Sequence, residues 1–286
     1  MPASPIDSLP RPLAVVAHDA GAANMIAAWV AAAKVPPERV HVAGPAEAIW
    51  QRRFGSGSTH ALDEALAGAA CLLSGTGWAS DLEHRARLAA EANGVESFAV
   101  IDHWVNYEAR FERNGEIRFP DTIIVGDPLA RDRAMALFAG LPVVEWPNFY
   151  LAEQVAAAGP LPGNGDTLFV AEPARSDWGR EQPGEFQALD WFVERGGEAA
   201  KSVRLRPHPS DPSAKFDDWL AAHDGWTLDT CADLSTALQH ARTIAGLNSM
   251  AMVVALEAGR EVICAIPPWG PDCALPHAGI RRLGRT

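Results

Sequence analysis

Short apolar runs alternate with longer amphipathic stretches along almost the whole chain. After a proline-rich leader, Leu13 to Ala17 is apolar and ends in His18-Asp19-Ala20-Gly21-Ala22-Ala23-Asn24, and an alanine-rich stretch of helical spacing continues to about Ala33. The same grammar then recurs. It predicts strands at Val40 to Ala43, Ala70 to Ser74, Phe98 to Ile101 and Thr122 to Val125, and helices at Ala46 to Phe54, Asp81 to Ala92 and Pro128 to Phe138. Strands that alternate with helices predict a parallel sheet covered on both faces.

Between Trp146-Pro147-Asn148 and Gly159-Pro160-Leu161-Pro162-Gly163-Asn164-Gly165 the alternation pauses, and the proline and glycine density there predicts the interdomain connection. A second series follows, with strands at Thr167 to Ala171, Ser202 to Leu205, Thr243 to Ala245 and Glu261 to Ile266. Its helices are predicted at Glu185 to Arg195, Asp217 to Ala222, Leu234 to His240 and Ser249 to Ala258. The expected fold class is therefore α/β, with two Rossmann-like domains facing a cleft. An N-terminal domain over 1-150 would carry acceptor binding and catalysis, and a C-terminal domain over 151-286 would bind a donor.

Composition narrows the functional classes. A chain of 286 residues is long enough for two compact domains without a metal or disulfide staple. The net charge of −12 argues against a broad nucleic-acid surface, so an anionic ligand must be held locally. The four cysteines, Cys71, Cys231, Cys264 and Cys273, show neither CxxC nor Cys/His ligand spacing, which fits a reducing cytoplasm and no metal. The leader lacks the features of a signal peptide, and no apolar run approaches the roughly 18 residues of a membrane span. A soluble protein, able to associate peripherally with a membrane, is expected.

Ligands of open α/β sheets bind beyond the carboxyl ends of strands, and the polar clusters here fall at such ends. His18 and Asp19 precede Gly21, where a side chain would block close approach to the backbone. Ser74-Gly75-Thr76-Gly77 is glycine-rich without the Lys-Ser/Thr of a P-loop, and no GxGxxG fingerprint is present. Asp102-His103-Trp104 leads into a segment rich in functional groups. A histidine beside a carboxylate suits a general base, Trp104, Asn106 and Tyr107 suit a sugar, and Arg110 suits a carboxylate or phosphate. In Arg206-Pro207-His208-Pro209 two prolines stiffen the backbone that presents the imidazole. Asn248-Ser249 opens a helix whose amides favour an anion, with Glu257 about 12 Å further along the axis.

Arg206-Pro207-His208-Pro209 together with Asn248-Ser249 and Leu256-Glu257-Ala258-Gly259 resembles the donor half of GT-B glycosyltransferases. The bacterial sialyl-, polysialyl- and capsule Kdo-transferases and the CDP-glycerol glycerophosphotransferases are the groups it resembles, through an HP motif and a downstream Ser motif. The resemblance covers mainly residues 165 to 266. It implies that His208 and Ser249 bind the donor phosphate with help from Arg206 and Asn248, and that Glu257 takes the nucleoside end. It implies a CMP- or UDP-type nucleotide sugar, a glycan or glycolipid acceptor, a role in surface polysaccharide assembly, and neither cofactor nor catalytic metal. The acidic D/E-D/E-G motif of sialyltransferases is missing from the N-terminal half. Asp102-His103-Trp104 stands where that motif is expected, which leaves the base open between Asp102, His103 and Asp19. The same architecture also serves nucleotide-sugar 2-epimerases or hydrolases, and a non-catalytic binding module.

Overall fold

The computed structural model of the protein describes residues 3–55 and 59–284. They fall into two compact units, Met1–Leu151 and Ala152–Thr286. The first contains β1 (Leu13–Ala17), α1 (Ala20–Ala32), β2 (Arg39–Val42), α2 (Pro45–Phe54), α3 (Leu62–Leu66), β3 (Cys71–Ser74), α4 (Leu82–Ala92) and β4 (Glu96–Ile101). A two-stranded hairpin, β5 (Glu112–Arg113) and β6 (Glu116–Ile117), precedes β7 (Thr122–Val125), α5 (Pro128–Leu137) and β8 (Val143–Glu145).

Six strands form one parallel sheet in the order β2-β1-β3-β4-β7-β8. All five residues of β1 are buried, the burial expected of a central strand covered on both faces. From β1 the chain first steps to β2, then crosses back to β3 on the other side. The gap between β1 and β3 is therefore a topological switch point, where open α/β sheets bind ligands.

The connection expected after Asn148 is helical. It holds α6 (Phe149–Ala158), and the division between the units falls inside this helix. Asn148 Oδ1 accepts the Leu151 N–H at 2.9 Å and so starts the helix, while Phe149 is buried in the first core.

The second unit continues with β9 (Asp166–Val170), α7 (Gly184–Arg195), β10 (Val203–Arg206), α8 (Asp217–Ala221), β11 (Trp226–Leu228), α9 (Leu234–Gln239) and β12 (Ala241–Gly246). It ends with α10 (Met250–Glu257), β13 (Glu261–Cys264) and β14 (Ile280–Arg282). The six strands are again parallel, in the order β11-β10-β9-β12-β13-β14. This is the strand order of a Rossmann fold, with its switch point between β9 and β12. Gly246 ends β12 so close to β9 that a Cβ would lie 2.7 Å from Val170 Cγ2. Phe169, Phe192 and Trp226 pack together on one face, with ring centroids 5.6–6.1 Å apart. Among the described residues no helix is long and apolar enough to cross a membrane.

Candidate functional site

Each sheet places its polar clusters at its own carboxyl edge. In the first unit, the space at Gly21, Gly44, Gly75 and Gly77 is occupied by the side chains of Asp102, His18, Glu83 and Asp19 respectively. A methyl group at any of these glycines would overlap that partner. Glycine is required here because carboxylates and an imidazole pack directly on the loop backbone.

Glu83, fully buried on α4, organises this edge. Its two oxygens accept the His18 N–H at 2.9 Å and the Gly77 N–H at 2.8 Å, tying the loop after β1 to the loop after β3. Burial raises its pKa above the usual carboxylate value. The two N–H donors and Arg87 oppose that rise, and the nearby Asp19 charge adds to it. No sequence pattern drew attention to Glu83, because it sits inside an ordinary amphipathic helix. Its sole signal was its distance of a few residues from Gly75-Thr76-Gly77.

Asp19 stands at the N-cap of α1, yet its side chain makes no capping hydrogen bond. Its Oδ1 instead lies 3.4 Å from His18 Nδ1, and the two side chains are 25% and 21% exposed. Asp102 is differently placed. Its Oδ1 accepts from Arg110 Nη1 at 2.6 Å, and Arg110 is 3% exposed. The same guanidinium donates to Thr76 Oγ1 at 3.1 Å, and Thr76 donates to Val100 O at 2.7 Å. Asp102, Thr76 and Arg110 thus form a closed polar network at the margin of the core.

The following segment is more structural than its composition suggested. Trp104 is 3% exposed and donates through Nε1 to Asp127 Oδ1 at 3.3 Å. Tyr107 is 2% exposed, stacks on Phe138 at 6.2 Å and donates to Ala130 O at 3.4 Å. Burial, with the Asp127 charge adding, pushes the Tyr107 phenol up to about 12. These rings offer no open face to a sugar, and Arg110 is committed to Asp102. The sequence expectation for these three residues is therefore corrected: they build the loop. Asn106 is exposed in a left-handed conformation with φ 56°, and its carbonyl accepts the Arg110 N–H at 3.1 Å. His103 is half-buried beside Trp104, with ring centroids 5.4 Å apart.

In the second unit, β10 leads to His208, β12 leads to Ser249, and β9 lies between them. At about 4.8 Å per strand the two ends are about 10 Å apart along the sheet edge. His208 Nδ1 lies 2.7 Å from Ser210 Oγ and accepts the Ser210 N–H at 3.2 Å. That acceptor role puts the proton of the neutral ring on Nε2. The His208 N–H donates to Asp211 Oδ2 at 2.9 Å, and Lys215 bridges Asp211 and Glu185 at 2.7 Å each. Desolvation by the surrounding loop, with the Arg175 and Lys215 charges, holds the imidazole below its ordinary pKa, while Asp211 opposes them.

Ser249 Oγ caps α10 by accepting the Ala251 N–H at 3.2 Å. The Asn248 N–H donates to Glu172 Oε2 at 3.0 Å, and Asn248 Oδ1 accepts the Ala274 N–H at 2.7 Å. Glu172, just past β9, is a further residue that the sequence reading missed. Burial raises its pKa against the opposing Asn248 N–H and Arg175 charge. A pocket of about 380 Å³ opens in the loop that follows, lined by Pro173, Arg175, Ser176 and Glu185 among others.

Two expected donor ligands need correction. Arg206 donates to Asp229 Oδ2 at 2.5 Å and to Cys231 O at 3.0 Å, so its charge is already balanced inside the unit. Glu257 is the last residue of α10, and this helix leads from the carboxyl end of β12 back to the amino end of β13. It therefore lies at the opposite edge of the sheet from His208, Asn248 and Ser249.

No family model matches the sequence, and no curated protein matches it. Solved structures do share the fold. MnaA of S. aureus, in a co-structure with UDP, aligns at TM-score 0.61 and 12% identity over 88% of this chain and 78% of that one. The UDP-GlcNAc 2-epimerase of Methanocaldococcus jannaschii, in complex with UDP-GlcNAc and UDP, aligns at TM-score 0.58 and 8% identity over 88% and 83%. At such identities the likeness is one of fold, GT-B-like with two Rossmann-like units.

Proposed function

We propose that this protein is an enzyme acting on a nucleotide-activated sugar, and that it transfers the glycosyl group to an acceptor hydroxyl of a glycan or glycolipid. The observation that carries this reading is the arrangement at the second switch point. An imidazole Nε2–H and the N-terminus of α10 flank the carboxyl end of β9, across a gap that a nucleoside diphosphate bridges. Those groups would stabilise negative charge as it develops on the leaving phosphate. UDP-type donors fit the solved structures of similar fold, two of which hold UDP.

The base belongs to the first unit. Asp102 neutralises a buried arginine through its Oδ1. The His18–Asp19 pair is more accessible and takes no part in capping, and a carboxylate orienting an imidazole suits proton abstraction from a hydroxyl. Glu83, through the His18 and Gly77 amides, holds this pair in place.

A second reading, 2-epimerisation of the nucleotide sugar, is favoured by the identity of the M. jannaschii structure. Donor specificity and reaction type separate in one assay, with UDP- and CMP-sugars supplied with and without acceptor glycans. Transfer releases free nucleotide at a catalytic rate only when acceptor is present, and it persists in EDTA. A new sugar nucleotide formed from donor alone would instead establish epimerisation. Absence of turnover together with absence of any nucleotide-dependent thermal shift would overturn both readings.

A further inference from the structure

A pair of cysteines in the second unit has no part in the chemistry above. Cys264 ends β13 and is 1% exposed, and Cys273 is half-buried in the loop that leads to β14. The two side chains interact electrostatically with each other. Both also point at one carbonyl, with Cys264 Sγ 3.4 Å and Cys273 Sγ 4.0 Å from Leu247 O. The next residue on that side is Asn248, whose N–H is held by Glu172 and whose Oδ1 holds the N–H of Ala274, adjacent to Cys273. The thiol pair is thus wired to the loop that opens α10.

The two sulfurs differ in character. The neighbouring Cys264 side chain, with Arg282 contributing, holds the Cys273 pKa below the usual thiol value despite burial. The same contact and burial raise Cys264. A partly accessible thiol of lowered pKa near a buried one is the arrangement of an attacking and a resolving cysteine. The other two cysteines lack it: burial pushes Cys71 up to about 12, and burial and the Asp229 contact raise Cys231.

We propose that Cys264 and Cys273 form a reversible intramolecular disulfide that regulates the nucleotide site through the Leu247–Asn248 peptide. The regulatory half of this proposal rests on the functional reading above; the chemical half does not. The oxidant is a low-molecular-weight disulfide such as oxidised glutathione. Cys273 thiolate attacks one glutathione sulfur and expels glutathione thiolate, forming a mixed disulfide. Cys264, on losing its proton, attacks the Cys273 sulfur and expels the second glutathione. The sum is two protein thiols and one glutathione disulfide giving one protein disulfide and two reduced glutathiones. Oxidation removes the Cys264 S–H that donates to Leu247 O, and so releases the carbonyl whose peptide partner is the Asn248 N–H.

Both cysteines fall between Arg260 and Arg281, in a single tryptic peptide. The full chain is incubated with oxidised glutathione, alkylated after denaturation and digested. The expected result is a peptide lighter by two hydrogens and unalkylated at both positions, restored by dithiothreitol. In Cys264→Ser the reaction should stop at a glutathione adduct on Cys273. Alkylation of both wild-type cysteines, or a wild-type adduct that never closes, overturns the disulfide. The regulatory half is read separately, as the thermal shift induced by UDP. A shift present in the reduced protein and lost on oxidation supports it, and an equal shift in both forms overturns it. A shift missing from both forms overturns it together with the nucleotide reading, while the peptide mass still decides the disulfide.

Discussion

Asp19→Asn should lower turnover about 10²- to 10⁴-fold, the usual contribution of a general base and its orienting partner, while leaving the melting temperature close to that of the native protein. The second half of this expectation follows from the cap of α1. Asp19 occupies the N-cap without making the side-chain bond that would make it a stability residue. Asp102→Asn provides the contrast. It removes the carboxylate that neutralises Arg110, a guanidinium 3% exposed, and should destabilise the fold. Initial rates beside thermal melts distinguish the two. Full activity in Asp19→Asn would remove the His18–Asp19 pair from the mechanism.

The largest effect on stability is expected at Asp229. Its side chain is fully buried and accepts from Arg204 and Arg206 at 2.5 Å each, and Arg204 also pairs with Asp166 at 2.5 and 3.0 Å. Asp229→Ala leaves two arginines without their shared counter-charge, which should cost about 3–5 kcal/mol and appear as a lowered urea midpoint. The acid limb follows from the same geometry. Burial alone would raise the Asp229 pKa, but hydrogen bonds from Arg206, Cys231 and Arg204 outweigh it and depress the value. The stability it supplies is therefore complete above the unfolded carboxyl pKa of about 3.9 and is lost as pH falls further toward the folded value. An unchanged midpoint in the variant would contradict this account of the buried pair.

Much of this architecture was readable because parallel strands covered on both faces leave uninterrupted apolar runs. β1, β3, β7 and β9 were legible on that basis. Elements that hold few buried residues escaped notice. β14 is three residues at the sheet edge, and two of them are exposed. α6 was hidden by flanking proline and glycine that suggested a break, although Asn148 supplies its cap.

The candidate sites were legible only in part, and for a physical reason. Strand ends located the loops, but sequence does not say which polar group faces solvent. Trp104, Tyr107 and Arg110 looked like ligand-binding groups and proved to be the interior of their own loop. Glu83 and Glu172 looked like ordinary charged residues of a helix and a loop. Each instead accepts backbone N–H groups at a switch point, a role visible only once the backbone is folded.

The central claim, that the carboxyl edge of the second sheet grips the phosphates of a sugar nucleotide, is tested most directly by calorimetric titration of a UDP-sugar into the native protein and His208→Gln. His208 is exposed, so the substitution should leave the fold intact. Loss of a hydrogen bond to a charged group, about 1.5–3 kcal/mol, predicts affinity weaker by roughly ten- to a hundredfold. Because the free imidazole is held below its ordinary pKa and bound phosphate favours its protonated form, native affinity should also strengthen as pH falls from neutral into the acid range, with no such trend in the variant. Equal affinity of the two proteins across that pH range would contradict the claim.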